Sequence, residues 1–380
     1  MTLQEALSRK HRHFVKHEAA GHSAALSALT WRRLMKNGLA KVSLLVIGLF
    51  AIVAILGYLI TPDHTPHCNQ QYLELAALKP GSKATFIYYD NGTKHPKTGL
   101  HQRMLRGEPL EGAAVPVHAY REEGDSILAE TLTGNTPNNG ETLRFAKKDV
   151  HEIKTRTFLF GTDGYGRDVL SQIMIGSRVS LSVGFIAVAI ALLIGVALGA
   201  LAAYYGRWVD NLVMWLVNVV WSIPTVLLVI AITFALGKGF WQIFVAVGLT
   251  MWVDIARVVR GQVLGIKEKE YVEAARALGY GPLRIIFRHI LPNILGAVVV
   301  VAASNFASAI LLEAGLSFLG MGVQPPTPSW GSMVKENYGY ILLDNAYLAI
   351  IPGIAIMLIV LAFMLLGNGV RDALDVKDKS

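Results

Sequence analysis

Few residues in this chain are placed to do covalent chemistry. His64, His67 and Cys68 lie close together and carry the imidazole and thiol groups of a zinc site. Three such groups in one loop are weak grounds for zinc, and no metal ligand set is assigned. His11, His13, His17 and His22 are scattered through a basic segment and read as a solvated polar face. Asp254 and Arg257, at i and i+3, are expected to pair with each other near the cytoplasmic end of an apolar segment, as interfacial anchors. The chain contains no Gly-x4-Gly-Lys-Ser/Thr stretch with which to cradle a nucleotide. No catalytic residue and no cofactor-binding residue is therefore expected. Cys68 is the only cysteine, which excludes an intrachain disulfide.

What remains is non-covalent. Tyr271–Pro292 is polar and basic yet lies between two long apolar segments, so it should be an interhelical loop in water. Tyr271, Ala274, Ala275 and Leu278 recur at i, i+3, i+4 and i+7, giving one narrow apolar helical face. Gly279-Tyr280-Gly281 should break that helix, since glycine tolerates the left-handed angles that end one. Pro282 suits the first turn of a second helix, expected to run to about Ile290, before Leu291 and Pro292. Helix, hinge and helix, exposed between two spans, form a docking element.

The elements that must position this loop are membrane spans. Of 380 residues, 53% are apolar and only 16% charged, and mean hydropathy is +0.44. The net charge of +8 is unevenly spread: residues 1–41 carry eight Lys/Arg against two acids, and 257–293 seven against three, while 61–178 carry fourteen of each sign. That asymmetry follows the positive-inside rule and gives no reason to invoke nucleic acid. Spans are expected at Val42–Ile60, Leu181–Tyr205, Leu212–Leu236, Phe240–Val259, Ile294–Leu312 and Ala346–Leu366. Pro224 should kink the third, and Gly184, Gly195 and Gly199 should let helices approach the second closely. Residues 61–160 form a polar insertion between the first two spans, with candidate strands at Thr85–Tyr89, before an Asp90-Asn91-Gly92 turn, and Val115–Tyr120. Residues 161–367 make the core, with the docking loop at 266–293, and 368–380 a short charged tail. The fold class is thus an all-α polytopic membrane protein with six transmembrane helices and a small, mixed α/β extracytoplasmic insertion.

Three stretches resemble one family. Glu273-Ala274-Ala275, then Gly279, then Leu291-Pro292 resembles the EAA loop of ABC-importer permeases, whose pattern often has Ile where this chain has His289. Gly161-Thr162-Asp163-Gly164-Tyr165-Gly166-Arg167-Asp168 resembles the signature before the second span in the dipeptide/oligopeptide (nickel/peptide) branch, in its C-type subunit. Around it, Asp168 favours a helix start, and Val169, Ile173 and Ile175 offer apolar contacts. The Pro325-Pro326, Pro328, Ser329-Trp330-Gly331 cluster between the last two spans resembles the same branch.

The resemblance implies a coupling role for Tyr271, Glu273, Ala274, Ala275, Leu278, Gly279, Leu291 and Pro292, with Glu273 bridging to a basic residue of an ATPase. It implies a heterodimer with a second homologous permease subunit, two ABC ATPase subunits that bind ATP and Mg, and an extracytoplasmic substrate-binding protein, in the bacterial inner membrane with both termini cytoplasmic. Relatives carry dipeptides, oligopeptides, nickel chelates, opines or sugars, and they have a shorter segment where this chain has its insertion. An alternative from another class is a non-transporting receptor or scaffold with residues 61–160 as sensor domain. The docking loop argues against it, since a receptor needs no ATPase dock.

Overall fold

The computed structural model describes residues 30–93, 99–132, 140–237 and 239–374. The histidine-rich segment and the last six residues lie outside them. Among the described residues, five helices are long and apolar enough to cross a membrane, six if one bent pair counts as a single span.

The first, α1 (Gly38–Leu56), begins four residues before the expected start because Asn37 caps it, its Oδ1 accepting from the Leu39 and Ala40 amides. The insertion follows as a five-stranded antiparallel sheet. Its strands are β1 (Ser82–Tyr89), β2 (Ala113–Glu123), β3 (Ser126–Thr131), β4 (Thr142–Ala146) and β5 (Val150–Phe158), in the order β4-β3-β2-β1-β5. Both candidate strands fall within β1 and β2. Asp90-Asn91-Gly92 does turn, with Asp90 Oδ1 accepting from the Gly92 amide at 2.7 Å, but α2 (Leu100–Arg106) intervenes before β2. The interior strand β1 is covered on both faces. Phe86 packs with Tyr72, Leu75 and Phe158 on one side, while Ile87 packs with Val117, Ile127 and Ala129 on the other.

Helix α3 (Val169–Tyr205) is one continuous helix of 37 residues, starting twelve residues before the expected span. At 1.5 Å per residue it is about 55 Å long, well beyond the roughly 30 Å hydrocarbon layer. Its first turns carry Ser171, Gln172, Ser177 and Ser180, which hid it from a hydropathy reading, yet all four are buried by neighbouring segments. Gly195 and Gly199 lie against Trp252, Ile255 and Ala256, and Gly184 against Phe306, so all three glycines allow the close approach expected of them.

The third expected span is not merely kinked. Helices α4 (Arg207–Trp221) and α5 (Thr225–Leu236) meet at 94° across Ser222–Pro224. Helix α6 (Phe240–Lys267) runs on well past Val259. The docking segment holds α7 (Glu270–Ala277) and the single turn α8 (Pro282–Ile285). A π turn at Ile286–Ile290 leads into α9 (Leu291–Phe318), so Pro292 does not end the second docking helix. Its missing N–H and its ring are accommodated by the wider turn, and Asn293 Nδ2 donates to the His289 carbonyl at 2.7 Å. A short α10 (Trp330–Asn337) precedes α11 (Tyr347–Leu374), which absorbs most of the expected tail; its Gly369 lies against Ala40 of α1.

Candidate functional site

The docking loop is a two-faced object. Val272 and Ala275 of α7 are buried with Ile285, Ile286 and Ile290, which fixes the short helix to the ends of the flanking spans. Tyr271 (44%) and Leu278 (72%) are exposed, as are Glu273 and Ala274. The expected face is thus corrected at one position. Ala275 points inward, because Val272 needs a partner three residues on, and Val272 was missed. Leu283 and Phe287 of the second half, also missed, are exposed apolar side chains spaced i, i+4. Glu273 forms no ion pair among the described residues.

The hinge has the geometry its glycine requires. Gly279 has φ +77°, its amide donates to the Arg276 carbonyl at 2.9 Å, and the Tyr280 amide donates to that of Ala275 at 3.2 Å. These two bonds make a Schellman cap. Tyr280 is then held by Arg284, 4.2 Å over its ring, and by stacking on His289 at 6.0 Å. Leu291 and Pro292 lie beyond this hinge as the first turn of α9.

The other two stretches come together on the opposite side of the protein. Asp163 Oδ1 accepts from the Tyr165 and Arg167 amides at 2.9 Å, and its Oδ2 binds Arg167 Nε at 2.6 Å. The guanidinium reaches on to Glu336 of α10 at 2.6 Å. Burial works against the Arg167 charge, yet Asp163 and Glu336 outweigh it and hold the guanidinium above its ordinary value. Thr162 accepts from the Leu78 amide at 2.8 Å and donates to the Leu75 carbonyl, tying the sheet to the core. Gly161 and Gly166 both have positive φ and sit where any Cβ would strike the Leu78 and Tyr72 carbonyls.

Asp168 caps α3 by accepting from the Ser171 amide and hydroxyl; burial pushes its carboxyl up against those two bonds. Val169, Ile173 and Ile175 are buried. Pro328 leads into Ser329, which caps α10 in a reciprocal pair with Ser332. Trp330 is fully buried, donates from Nε1 to the Ile173 carbonyl at 3.0 Å, and meets Phe50 edge to face. Gly331 fits against Ala314, where a side chain would collide with backbone. Nothing in the sequence paired Arg167 with Glu336 across such a separation. Both stretches sit at a junction inside the protein.

Two further expectations need comment. Cys68 is buried and donates to the Asp63 carbonyl, and burial pushes its thiol far above the ordinary range. His64 bonds the Tyr58 carbonyl instead of facing the cysteine as a co-ligand. Asp254 and Arg257 do not pair. The guanidinium lies 3.7 Å over the Trp221 ring, and the ion pair at this level is Arg260 with Asp210, at 2.5 and 2.6 Å.

Two family descriptions match: binding-protein-dependent transport system inner membrane component over residues 195–377, and N-terminal TM domain of oligopeptide transport permease C over 26–80. All five strands lie between these matches. The dipeptide transport system permease protein DppC of Alkalihalophilus pseudofirmus is 43% identical over 221 residues, 58% of this chain and 72% of that protein. The glutathione transport system permease protein GsiD of Pectobacterium atrosepticum is 43% identical over 231 residues, 61% of this chain and 76% of its own length. A chain of the MetNI methionine ABC transporter aligns with 23% identity and a TM-score of 0.44, over 53% of this chain and 94% of that one. This chain belongs to the family of binding-protein-dependent transport inner membrane components, as a permease subunit of a bacterial ABC importer.

Proposed function

We propose that this chain forms half of the translocation pathway of an importer of di- or oligopeptides, and that Tyr271–Pro292 docks on a partner ATPase. The observation that carries this reading is the split of α7: Val272 and Ala275 anchor it to the spans, while Tyr271, Ala274, Leu278 and an unpaired Glu273 are left outward. A helix held from below and apolar above suits insertion into a groove, with Glu273 placed for a basic residue of the partner. ATP and Mg belong to two such ATPases, and a second homologous permease subunit and an extracytoplasmic substrate-binding protein complete the assembly. The names of the dipeptide and glutathione relatives support the peptide class. Closure of the ATPases on ATP would move the docking helices and switch the pathway between outward and inward openings.

The orientation puts both termini and the docking loop in the cytoplasm and the sheet outside, where it would face the binding protein or the sister subunit. Purification in mild detergent should bring down ATPase and permease partners, and loss of both would sink the reading. Orientation is checked by labelling intact cells with an impermeant maleimide. Asn91→Cys, on an exposed turn, should react, and Tyr280→Cys should not. The native Cys68 is buried and contributes little background. Labelling at position 280 from outside would overturn the topology.

A further inference from the structure

A cavity of about 390 Å³ opens at the break between α4 and α5. Its walls are the break itself (Trp221, Ile223, Thr225), α6 (Thr250, Met251, Asp254) and α9 (Asn305, Ser308). Asp254 lies at the middle of α6 and Asn305 at the middle of α9. A carboxylate on a membrane-spanning helix is expensive unless it faces a water-filled path or a ligand.

Three polar side chains of the wall have acceptor capacity to spare. Thr250 Oγ1 spends its proton on the Val247 carbonyl at 2.8 Å, leaving lone pairs only. Asn305 Nδ2 donates to the Met251 carbonyl at 3.3 Å, which leaves its carbonyl oxygen available. Asp254 has neither a hydrogen bond nor an ion pair among the described residues, and Arg257, its nearest cation along the helix, is committed to Trp221. These three side chains therefore offer three kinds of acceptor against one spare donor, the second Nδ2 proton of Asn305, and the only charge among them is the Asp254 carboxylate. A primary ammonium carries three N–H donors and one positive charge, the complement of that set. The surrounding Val220, Ile223, Leu228 and Met251 suit the apolar part of such a ligand, and the volume lies within the range of small-molecule sites.

We propose that Asp254, with Thr250 and Asn305, recognises the free α-ammonium group of a peptide in transit through the pathway. This rests on the peptide reading above and adds a selectivity step in the permease itself, separate from any selection by the binding protein.

The test is uptake by the complete transporter, with its binding protein, of a labelled dipeptide and of its des-amino analogue, in which hydrogen replaces the α-amino group. The binding protein is the same throughout, so its own preference cancels between permease variants. The parent should favour the free amine. Asp254→Asn should reduce that preference about tenfold, the scale of one charge-assisted hydrogen bond. Thr250→Val should reduce it less, and Asp254→Glu should keep most of it. Amounts are normalised to membrane-inserted protein carrying its ATPases. An unchanged preference in Asp254→Asn overturns the site while leaving peptide transport intact. Uptake of nickel chelate or sugar with no uptake of either peptide by the parent overturns the peptide reading and this site with it. Equal loss of both peptides in Asp254→Asn, with the preference unaltered, assigns Asp254 to structure and also overturns the proposal.

Discussion

The junction before α3 and the loop between α6 and α9 are both written in short, recognisable stretches of sequence, but they use their residues in opposite ways. At the junction Thr162, Asp163, Arg167, Asp168, Ser329 and Trp330 are buried, and their polar atoms are spent on this chain. In the loop Tyr271, Glu273 and Leu278 are exposed and their side chains are left over, with bare backbone exposed at Gly279. A motif can thus mark an internal tie or a surface for someone else, and burial with hydrogen-bond accounting separates the two. Substitutions at the junction should cost folded protein. Substitutions in the loop should cost communication with a partner while the protein remains.

The largest effect is expected at Trp330. Its side chain is fully enclosed between Phe50, Gly176 and the Ile173 carbonyl. Trp330→Ala should destabilise by about 3–5 kcal/mol through cavity formation and the lost bond. The amount extracted in folded form from membranes, and its melting in detergent, would check this. Near-normal melting with transport abolished would move Trp330 from the internal tie to a functional surface.

Arg167 comes next. Arg167→Met removes one charge from a chain of three, leaving Asp163 with its two amide donors but Glu336 without a partner. Breaking a buried pair costs about 3–5 kcal/mol, and the partial exposure of Glu336 should bring this case to the low end. Glu336→Gln, which keeps a neutral acceptor, should cost clearly less. Equal losses in the two variants would show that the pair with Glu336 carries the whole contribution of Arg167 and that its bond to Asp163 adds nothing measurable.

The same contrast governs how far the sequence could be read. Apolar runs of span length reveal themselves, so the helices were found, along with the glycines that pack them and the cap at Asp168. The early turns of α3 were missed because Ser171, Gln172, Ser177 and Ser180 are polar by type and buried only by segments distant in the chain. Pro224 announced a break, but no local rule gives a bend of 94°, which is set by how α5 packs on α6. In the docking loop the helical period showed an apolar face, while the choice between Ala274 and Ala275 as its inward member depended on Ile285, Ile286 and Ile290 across the hinge. Asp254 and Arg257 had the spacing of a pair, yet the Trp221 ring competes for the guanidinium.

The smallest effects on stability, and the sharpest use of the comparison, belong to Gly279 and Glu273. At φ +77° any Cβ is strained, so Gly279→Ala should cost about 1 kcal/mol. Among the described residues, no atom beyond the adjacent residues lies within 4 Å of where that Cβ would be, so packing adds no steric cost there. Glu273 occupies the first turn of α7, where a carboxylate gains roughly 0.3–1 kcal/mol from the helix dipole, and its reversal to Lys costs no more than about twice that. Neither site lies in a span, so both variants should reach the membrane in near-normal amounts. If the loop is only a solvated helix, transport per inserted protein should be unaltered in both. If it sits in a groove of an ATPase, Gly279→Asp and Glu273→Lys should lower transport severalfold more than Gly279→Ala, and less ATPase should co-purify, or its hydrolysis should no longer respond to substrate. A steric defect and a charge defect at two exposed positions that converge on the same loss, beyond that of Gly279→Ala, point to the partner. Full transport in both would remove the docking role.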